Sequence, residues 1–286
     1  MRERIDPLIA ERARWLYGDK LLVDVARRIA ESLLKYDETI RIAETIKDMN
    51  PEGIMADMAQ RIAYDVEVRG LHNIPAYGPA LIVANHPTGI ADGIFVHHVL
   101  AEIRSDVFFF ANSDILRVLP QMEQLIVPVE WQKNKRTHAK TRETMQQTAR
   151  ALRDGRMGVI FPSGRLAKRR GLSLFERDWM SSAVMIARKF NVPIIPVNIR
   201  ARNSVLFYIL DLIHPTLRDI TLFYETLNKD KQPYRLVIGA PIQPSTLPAR
   251  SADAIKILRR DTLALSGIAA PGVSLVRATR LLQGMV

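Results

Sequence analysis

The sequence of 286 residues contains no cysteine, so disulfide bonds, thiolate metal sites and cysteine nucleophiles are excluded. It also lacks the roughly 18 consecutive apolar residues that a membrane-spanning helix needs, and its most apolar stretch, residues 205–210, ends at Asp211. The first residues are charged, unlike a secretory signal. Internal repeats and low-complexity segments are absent as well. We therefore expect a soluble or monotopic intracellular protein.

Acidic residues are the scarcer charge. The chain has 30 Asp and Glu against 41 Lys and Arg, a formal net charge of +11, and a pI of about 10.1. This excess favours polyanionic partners, namely anionic lipid surfaces, phosphorylated substrates, acidic carrier proteins or nucleic acid. A generally basic surface with no dedicated partner is the simpler interpretation, and composition alone does not separate the two. The hydrophobic content of 48 % is that of a globular protein with a sizeable core.

The apolar pattern changes once along the chain. Residues 7–64 show helical spacing, for example at Leu21, Val25 and Ile29, and this basic region either packs on the rest of the protein or lies on a membrane. We favour packing because acidic residues are interspersed. From Tyr64 onward, short strand patterns alternate with helical ones. The predicted strands are 66–69, 81–84, 107–111, 125–129, 158–161, 194–198 and 235–238, and the predicted helices are 93–104, 137–154, 179–190 and 251–265.

This alternation predicts an α/β fold. We expect a mixed, largely parallel central sheet flanked by helices, together with an N-terminal helical region. The chain then divides into an N-terminal helical region (1–63), an α/β domain (64–250) and a C-terminal helix and tail (251–286). The tail is expected to be mobile, as chain ends often are.

Residues 85–92 read Asn-His-Pro-Thr-Gly-Ile-Ala-Asp and follow a buried strand. In one continuous helix His86 and Asp92 would be separated by about 600° of rotation, on nearly opposite faces. A pair therefore requires an irregular turn, which Pro87 to Gly89 supplies. Asp92 could then hold one ring nitrogen of His86 while the other takes a proton from a hydroxyl. Backbone N–H groups of a helix opening near Ile90 could bind a phosphate or an oxyanion. The alternative is that Asp92 only stabilises the helix start.

A second turn, from Phe161 to Arg165, reads Phe-Pro-Ser-Gly-Arg and follows the predicted strand 158–161. Four cations lie within residues 165–170. One interpretation is a phosphate-binding turn, in which backbone amides around Gly164 assist the guanidinium of Arg165. The other interpretation is a solvated basic loop, which such charge runs usually form. The sequence leaves both open.

Three short motifs occur in an order that is typical of one enzyme family. They are Asn85-His86 with Asp92 after a spacer, Phe161-Pro162 followed by Gly164, and the segment 192–197, Val-Pro-Ile-Ile-Pro-Val. The preceding residues 68–75 fit the same order as an entry strand and loop. Together they resemble the glycerolipid acyltransferase superfamily, that is, the lysophosphatidic acid and glycerol-3-phosphate acyltransferases. The resemblance covers about residues 64–243.

This resemblance implies an O-acyltransferase in which His86 is the general base and Asp92 orients it. A hydroxyl of the acceptor would attack the thioester of acyl-CoA or of acyl-carrier protein directly, without an acyl-enzyme. The thioester is a co-substrate, and neither a cofactor nor a metal is implied. The two turns would supply the substrate-binding residues Asn85, Thr88, Gly89, Phe161, Pro162, Ser163, Gly164 and Arg165.

Two departures from the family pattern concern the acceptor. The spacer between His86 and Asp92 has five residues instead of four, and Ser163 stands where the family usually has glutamate. The longer spacer and the segment 201–208 are closer to the hemolysin-like and ornithine-lipid acyltransferases. The acceptor that this resemblance implies is a lyso-lipid or a glycerol-phosphate-type molecule.

The resemblance and the charge together imply a cytoplasmic protein, peripheral on the inner face of the membrane. An anionic membrane surface is then a partner, and Trp15, Leu16 and Tyr17 or residues 205–213 are its candidate contacts, unless they are ordinary core. Nucleic acid is not expected, since zinc-finger, RNP-like and helix-turn-helix signatures are missing.

Three other functions are weighed. A hydrolase with Ser163, His86 and Asp92 lacks the Gly-x-Ser-x-Gly elbow of that class. A metal site from His86, Asp92, His97 and His98 has poor spacing, because adjacent histidines on a helix point about 100° apart. The non-enzymatic alternative is a basic lipid-binding or nucleic-acid-binding protein, including an inactive acyltransferase homologue.

Overall fold

The computed structural model describes residues 1–13, 15, 28, 32, 34–130, 137–213, 218 and 220–267, and the backbone of 272–274. The predicted helical stripe at Leu21, Val25 and Ile29 lies outside these residues, as do Leu16 and Tyr17 and nearly all of the C-terminal tail. The helices are α1 (Arg2–Arg12), α2 (Tyr36–Ile46), α3 (Pro51–Ile62), α4 (Ile90–Ala101), α5 (Asp114–Val118), α6 (His138–Arg153), α7 (Ser182–Phe190), α8 (Val205–Ile213), α9 (Leu222–Leu227) and α10 (Ser251–Ala264). The strands are β1 (Val66–Arg69), β2 (Ala80–Ala84), β3 (Val107–Asn112), β4 (Ile126–Val129), β5 (Met157–Ile160), β6 (Lys168–Arg170), β7 (Ser173–Phe175), β8 (Ile194–Arg200), β9 (Tyr234–Ile238) and β10 (Gly272–Ser274).

A seven-stranded sheet forms the centre, in the order β1-β9-β8-β2-β5-β3-β4. All of its neighbouring strands are parallel except β8 and β9, which run antiparallel. The expectation of a mixed, largely parallel sheet is therefore confirmed. The middle strand β2 is buried along its whole length, which explains why its sequence is a continuous apolar run instead of an alternating one.

Helices cover both faces of this sheet. Ile82 and Ala84 of β2 point into a core shared with α1 to α4, whereas Leu81 and Val83 point into a second core shared with α6, α7 and α10. Successive residues of a strand face opposite sides, so one strand feeds both cores. The N-terminal helices α1 to α3 bury their apolar residues against the sheet. These helices therefore pack on the rest of the protein, as the sequence favours.

Helix α4 begins three residues earlier than predicted and ends at Ala101. Its start is displaced because Asp92 caps its first turn. Its end comes before Arg104, whose buried guanidinium donates hydrogen bonds to the carbonyls of Pro75, Gly78 and Gly155 instead of lying on a helix surface.

The basic run 168–170 is strand β6 of a hairpin with β7, which the sequence did not predict. Three consecutive cations give no apolar alternation by which a strand would be recognised. The apolar stretch 205–213, treated above only as a possible membrane contact, is helix α8. Among the described residues, no helix is both long and apolar enough to cross a bilayer.

Candidate active site

His86 lies in the turn between β2 and α4. The buried side chain of Asn85 accepts a hydrogen bond from the backbone N–H of Ile199 at 2.7 Å and donates one to the carbonyl of Ile199 at 2.8 Å. These bonds tie the end of β2 to β8, its parallel neighbour. The chain therefore leaves the sheet at a fixed point, and His86 stands at the carboxyl edge of the strands, where open α/β sheets carry their sites.

Asp92 faces the His86 ring. Nδ1 of His86 lies 2.8 Å from Oδ2 of Asp92, although the approach is too oblique for a well-formed hydrogen bond. The Asp92 side chain is completely buried, whereas the His86 side chain remains 20 % exposed. One ring nitrogen thus faces a buried carboxylate, and the ring remains partly accessible to solvent. A histidine held in this way can accept a proton from a hydroxyl.

The turn between the two residues brings them together. Its backbone N–H groups of Thr88 and Gly89 both donate to Oδ2 of Asp92, each at 2.9 Å. Gly89 has a φ of +97°, and a Cβ there would meet the Leu166 side chain at 3.2 Å, so the position suits glycine. Asp92 is therefore both the partner of His86 and the cap of α4, and the two interpretations from sequence hold together. These two amides point at Asp92, so they are not free to bind an oxyanion.

Two buried hydroxyl groups hold the other oxygen of Asp92. Thr88 Oγ1 donates to Oδ1 at 2.6 Å, Tyr234 OH donates to the same atom, and the two hydroxyls lie 2.9 Å from each other. Burial alone would raise the pKa of Asp92, but the contacts with His86, Thr88 and Tyr234 hold it below its ordinary 3.8. The pKa of Tyr234 is raised well above 10.0 by burial and by the charge of Asp92. At neutral pH the site therefore has a carboxylate with neutral donors around it.

A second carboxyl, Glu176, holds the backbone of His86. Its Oε2 accepts from the His86 N–H at 3.1 Å, and its Oε1 accepts from the Trp179 indole at 2.9 Å. Burial raises the pKa of Glu176, although Trp179 and His86 act in the opposite direction. The His86 carbonyl accepts from the backbone of Ala167 at 2.9 Å. The main chain of His86 is thus fixed on both sides by the segment that follows β5.

The Phe161 to Arg165 turn lies against the histidine. The Phe161 ring stacks on the His86 ring, with centroids 4.4 Å apart and planes 24° apart. The N–H of Gly164 closes the turn on the Phe161 carbonyl at 2.9 Å, and Gly164 has a φ of +59°. The carbonyl of Pro162 accepts from the Met180 N–H at 3.0 Å. The two turns that the sequence singled out therefore meet across one pair of rings.

Ser163 has a different neighbour. Its hydroxyl donates to the Arg165 carbonyl at 2.7 Å and lies beside Glu176. In the part of the chain that the structure describes, no hydrogen bond joins Ser163 to His86. A serine nucleophile needs contact with its base, so the geometry speaks against the hydrolase.

Cations gather at the mouth of the site. Arg165 is exposed, and the Arg177 guanidinium donates to the Leu166 carbonyl at 2.8 Å. The pKa of Arg177 is lowered by burial and by the charges of Arg165 and Arg218. Arg218 is paired with Asp211 at 3.1 Å. This local excess of positive charge favours an anionic group at the entrance.

Behind the site lies a buried polar network. Asn203 donates to the Thr88 carbonyl at 3.4 Å, and the backbone N–H of Asn203 donates to Tyr208 OH at 3.0 Å. Ser204 donates to Glu225 with both its N–H and its hydroxyl. Lys229, fully buried, lies 3.4 Å from Glu225, and burial lowers its pKa to about 8. This network fixes the start of α8 relative to the turn that carries His86.

The structure thus brings together the eight residues predicted to bind substrate, but their side chains differ in exposure and in hydrogen-bond partners. Gly89, Phe161 and Gly164 line or shape the turns around His86, and Arg165 is exposed beside them. The side chains of Asn85 and Thr88 are occupied by backbone and by Asp92, which makes them supports of the turn. Their predicted contact with substrate stays a prediction, as does that of Pro162 and Ser163.

Sequence reasoning missed Tyr234, Glu176 and Trp179. Tyr234 is the first residue of β9, far along the chain from Asp92, and no local signal connects the two. Glu176 and Trp179 could have been noticed as an acid and an indole directly before the predicted helix 179–190. His97, weighed as a metal ligand, is buried beside Phe109, and burial lowers its pKa. The described residues contain no group of three or more His, Cys, Asp or Glu side chains placed to hold a metal ion.

Residues 65–200 match the family model described as acyltransferase. A lyso-glycine lipid O-acyltransferase of Phocaeicola vulgatus is 26 % identical over 67 % of this chain and 71 % of that protein. A protein of the same name from Bacteroides thetaiotaomicron is 22 % identical over 88 % of this chain and 94 % of its own length. The fold is shared with the 1-acyl-sn-glycerophosphate acyltransferase PlsC of Thermotoga maritima, at a TM-score of 0.52 and 15 % identity over 86 % of this chain and 98 % of that one.

The matched segment 65–200 contains both turns, the pair His86 and Asp92, and the strands β1 to β8. The family model, the curated relatives and the fold therefore agree with the three motifs in the sequence. The match over nearly half of the chain and the two relatives support the glycerolipid acyltransferase superfamily that the sequence motifs resemble.

Proposed function

We propose that this protein is an O-acyltransferase that moves a fatty acyl group from a thioester to the hydroxyl of a lyso-lipid. The observation that carries the proposal is the pair of His86 with the buried carboxylate of Asp92, at 2.8 Å, at the carboxyl edge of the sheet. The names of the two curated relatives support a lyso-lipid acceptor, and lyso-glycine lipid is the first acceptor to test. A glycerol-phosphate-type acceptor is the second.

In the proposed reaction Nε2 of His86 removes the proton of the acceptor hydroxyl as its oxygen attacks the thioester carbonyl carbon. The new C–O bond forms the ester, and the C–S bond breaks. The sulfur leaves as the thiol of CoA or of the carrier protein, taking the proton from the imidazolium. Asp92 holds the ring and stabilises its positive charge during the transfer. The acyl group passes directly to the acceptor, because Ser163 is not in contact with His86.

We place the reaction at the inner face of the cytoplasmic membrane, where a lyso-lipid and both thioester donors are accessible. The protein would act there as a peripheral protein. Its net charge of +11 supports attraction to anionic lipids, since each Lys or Arg near such a surface contributes on the order of 1 kcal/mol.

The test offers purified protein three acceptors, lyso-glycine lipid, lysophosphatidic acid and glycerol-3-phosphate, each with an acyl-CoA and an acyl-carrier protein. We expect ester formation with at least one lyso-lipid. His86→Ala should lower kcat on the order of 10³-fold or more, whereas His72→Ala, a change at an exposed histidine on the loop after β1, should leave it unchanged.

Two results would overturn the proposal. One is the absence of ester with every acceptor and donor, which would favour an inactive homologue that only binds lipid. The other is full transfer by His86→Ala. Intact-mass analysis of protein incubated with donor alone checks the direct route, since a covalently acylated protein would contradict it.

A further inference from the structure

One side of helix α8 exposes large apolar side chains to solvent. Val205, Ile209, Leu212 and Ile213 are between 49 % and 67 % exposed. Their spacing of four, seven and eight residues from the first places them on a single side of the helix. We call these four residues the α8 stripe. In the part of the chain that is described, the stripe has no covering element.

The opposite side of α8 is firmly packed. Phe207 and Tyr208 are buried in a small core with Leu174 of β7, against which Leu166 and Leu222 also pack. The Tyr208 hydroxyl accepts the N–H of Asn203. The helix is therefore held in place from one side only, and the stripe adds nothing to the packing of the fold.

Helix α8 lies close to the turn that carries His86. Leu166, which packs on the buried side of α8, also lies closest to the position where a side chain on Gly89 would be. The next residue, Ala167, donates its backbone N–H to the carbonyl of His86. Only one layer of side chains thus separates α8 from the turn that carries His86.

Exposed cations lie on the hairpin that packs against α8 through Leu174. The hairpin of β6 and β7, here called the basic hairpin, exposes Lys168 and Arg170, and Leu172 at its tip is 68 % exposed. No described carboxylate forms an ion pair with Lys168 or Arg170, and Arg170 lies over the Phe175 ring instead. Arg165 is exposed on the same segment. The hairpin that packs on α8 therefore carries exposed cations and an exposed apolar tip.

We propose that the α8 stripe and the basic hairpin dock the protein on an anionic phospholipid bilayer, with the mouth of the active site against the lipid. The inference rests on the proposed function in that a lyso-lipid acceptor would then enter from the bilayer. A helix of nine residues is about 13 Å long, too short to cross and suited to lie in the interface with its apolar side inward. Anionic headgroups match the cations beside it.

A second copy of this chain is a poorer occupant. A symmetric dimer built on the α8 stripe would place two basic hairpins close to each other, and like charges facing each other disfavour such an interface. An anionic bilayer can bury the apolar stripe and at the same time attract the cations of the basic hairpin.

The experiment is co-sedimentation of the purified full chain with vesicles of phosphatidylglycerol and phosphatidylethanolamine, compared with vesicles of phosphatidylcholine alone. We expect Ile209→Ser with Leu212→Ser to weaken binding to the anionic vesicles by about tenfold or more, because two large aliphatic side chains lose their burial. Tyr77→Ser is the matched control, since Tyr77 is 87 % exposed but lies before β2, at the opposite edge of the sheet.

A second pair of variants tests the charge. Lys168→Glu with Arg170→Glu should weaken binding to anionic vesicles by about tenfold or more at low salt. Arg150→Glu with Arg153→Glu changes the net charge equally but lies on α6, and it should have a much smaller effect.

Vesicle binding is measured without any acyl transfer, so its outcome is independent of whether the proposed reaction is correct. Unchanged sedimentation of both double variants would overturn the docking surface, and loss of binding on Trp15→Ser alone would move it to the N-terminal region. A concentration-dependent dimer that Ile209→Ser with Leu212→Ser dissociates, while vesicle binding persists, would assign the stripe to a second copy.

The folding of each variant is checked first by far-ultraviolet circular dichroism. If the double variant loses this signal, the single changes Ile209→Ser and Leu212→Ser replace it.

Discussion

The two turns at the active site look alike in sequence and differ in how they are built. Each follows a buried parallel strand and contains a proline and a glycine with positive φ. The His86 turn is held by side chains, since Asp92 accepts bonds from two backbone amides and two hydroxyls. The Phe161 turn is closed by backbone bonds, and its cation, Arg165, is left exposed.

This difference separates two tasks. A base must keep its orientation through the reaction, and a buried carboxylate with four donors is a rigid support, because each lost bond leaves a buried group unpaired. A contact with a lipid headgroup must admit varied groups and let the product leave, for which an exposed guanidinium on a backbone turn is suited. Changes in the first turn should therefore be more costly than changes in the second.

The largest effect is expected from Asp92→Asn. The NH2 group of asparagine cannot accept, so either the N–H groups of Thr88 and Gly89 lose their acceptor or the two hydroxyls must turn to accept, and the negative charge beside His86 is lost in both cases. We expect kcat to fall on the order of 10³-fold and the free energy of unfolding to fall by about 2 kcal/mol. Steady-state kinetics and urea unfolding measure these, with Asp57→Asn, on α3 far from the site, as control.

The same variant tests the pKa of Asp92. A folded-state pKa below the ordinary 3.8 means that the carboxylate contributes stability above that pH, which is lost as the pH falls through the lower folded value. The difference in unfolding free energy between the wild type and Asp92→Asn should therefore be constant at neutral pH and shrink below about pH 4. A difference that does not change with pH would contradict the lowered pKa.

A smaller effect is expected from Tyr234→Phe. The change removes one donor to Asp92 and one partner of Thr88, so kcat should fall about tenfold and stability by about 1 to 2 kcal/mol. Tyr208→Phe is a matched loss of a buried hydroxyl that does not contact Asp92. Equal kcat values for the two variants would show that Tyr234 is only structural.

In the second turn, Arg165→Gln should act on binding alone. We expect KM for the acceptor to rise about fivefold with kcat unchanged, since an exposed charged contact is modest in energy. Arg153→Gln on α6 removes the same charge elsewhere. A fall in kcat with constant KM would place Arg165 in the chemistry and break the distinction between the turns.

The smallest effect is expected from Ser163→Ala. Its hydroxyl donates to the Arg165 carbonyl and makes no hydrogen bond with His86 among the described residues, so kcat should change less than about threefold. Complete loss of activity, together with an acylated protein in the wild type, would instead support a serine nucleophile.

Much of this fold could be predicted from local patterns. The strands β2 and β5 were predicted because parallel interior strands are continuous apolar runs, and the helices α6 and α10 because their apolar residues recur at helical spacing. The basic hairpin was missed because its first strand has no apolar alternation. Helix α4 was placed three residues late because its start depends on the bonds of Asp92, which are visible only once the chain is folded.

The candidate site divides in the same way. The pair of His86 and Asp92 and the turn at Phe161 were accessible from sequence because each lies on a short segment of distinctive composition. Tyr234 and Glu176 were not accessible from sequence. Tyr234 lies 142 positions along the chain from Asp92, and Glu176 lies 90 positions from His86. Contacts of that separation leave no trace in local composition.

By itself the sequence determined the α/β class, the resemblance to the acyltransferases and the identity of the candidate base, because these depend on residue types and on spacings along a few turns. The tertiary structure alone decided which groups hold Asp92, how the hydroxyl of Ser163 is engaged elsewhere, and that α8 packs close to the turn that carries His86. Those facts depend on segments far apart in the chain that meet only when the two cores form around the sheet.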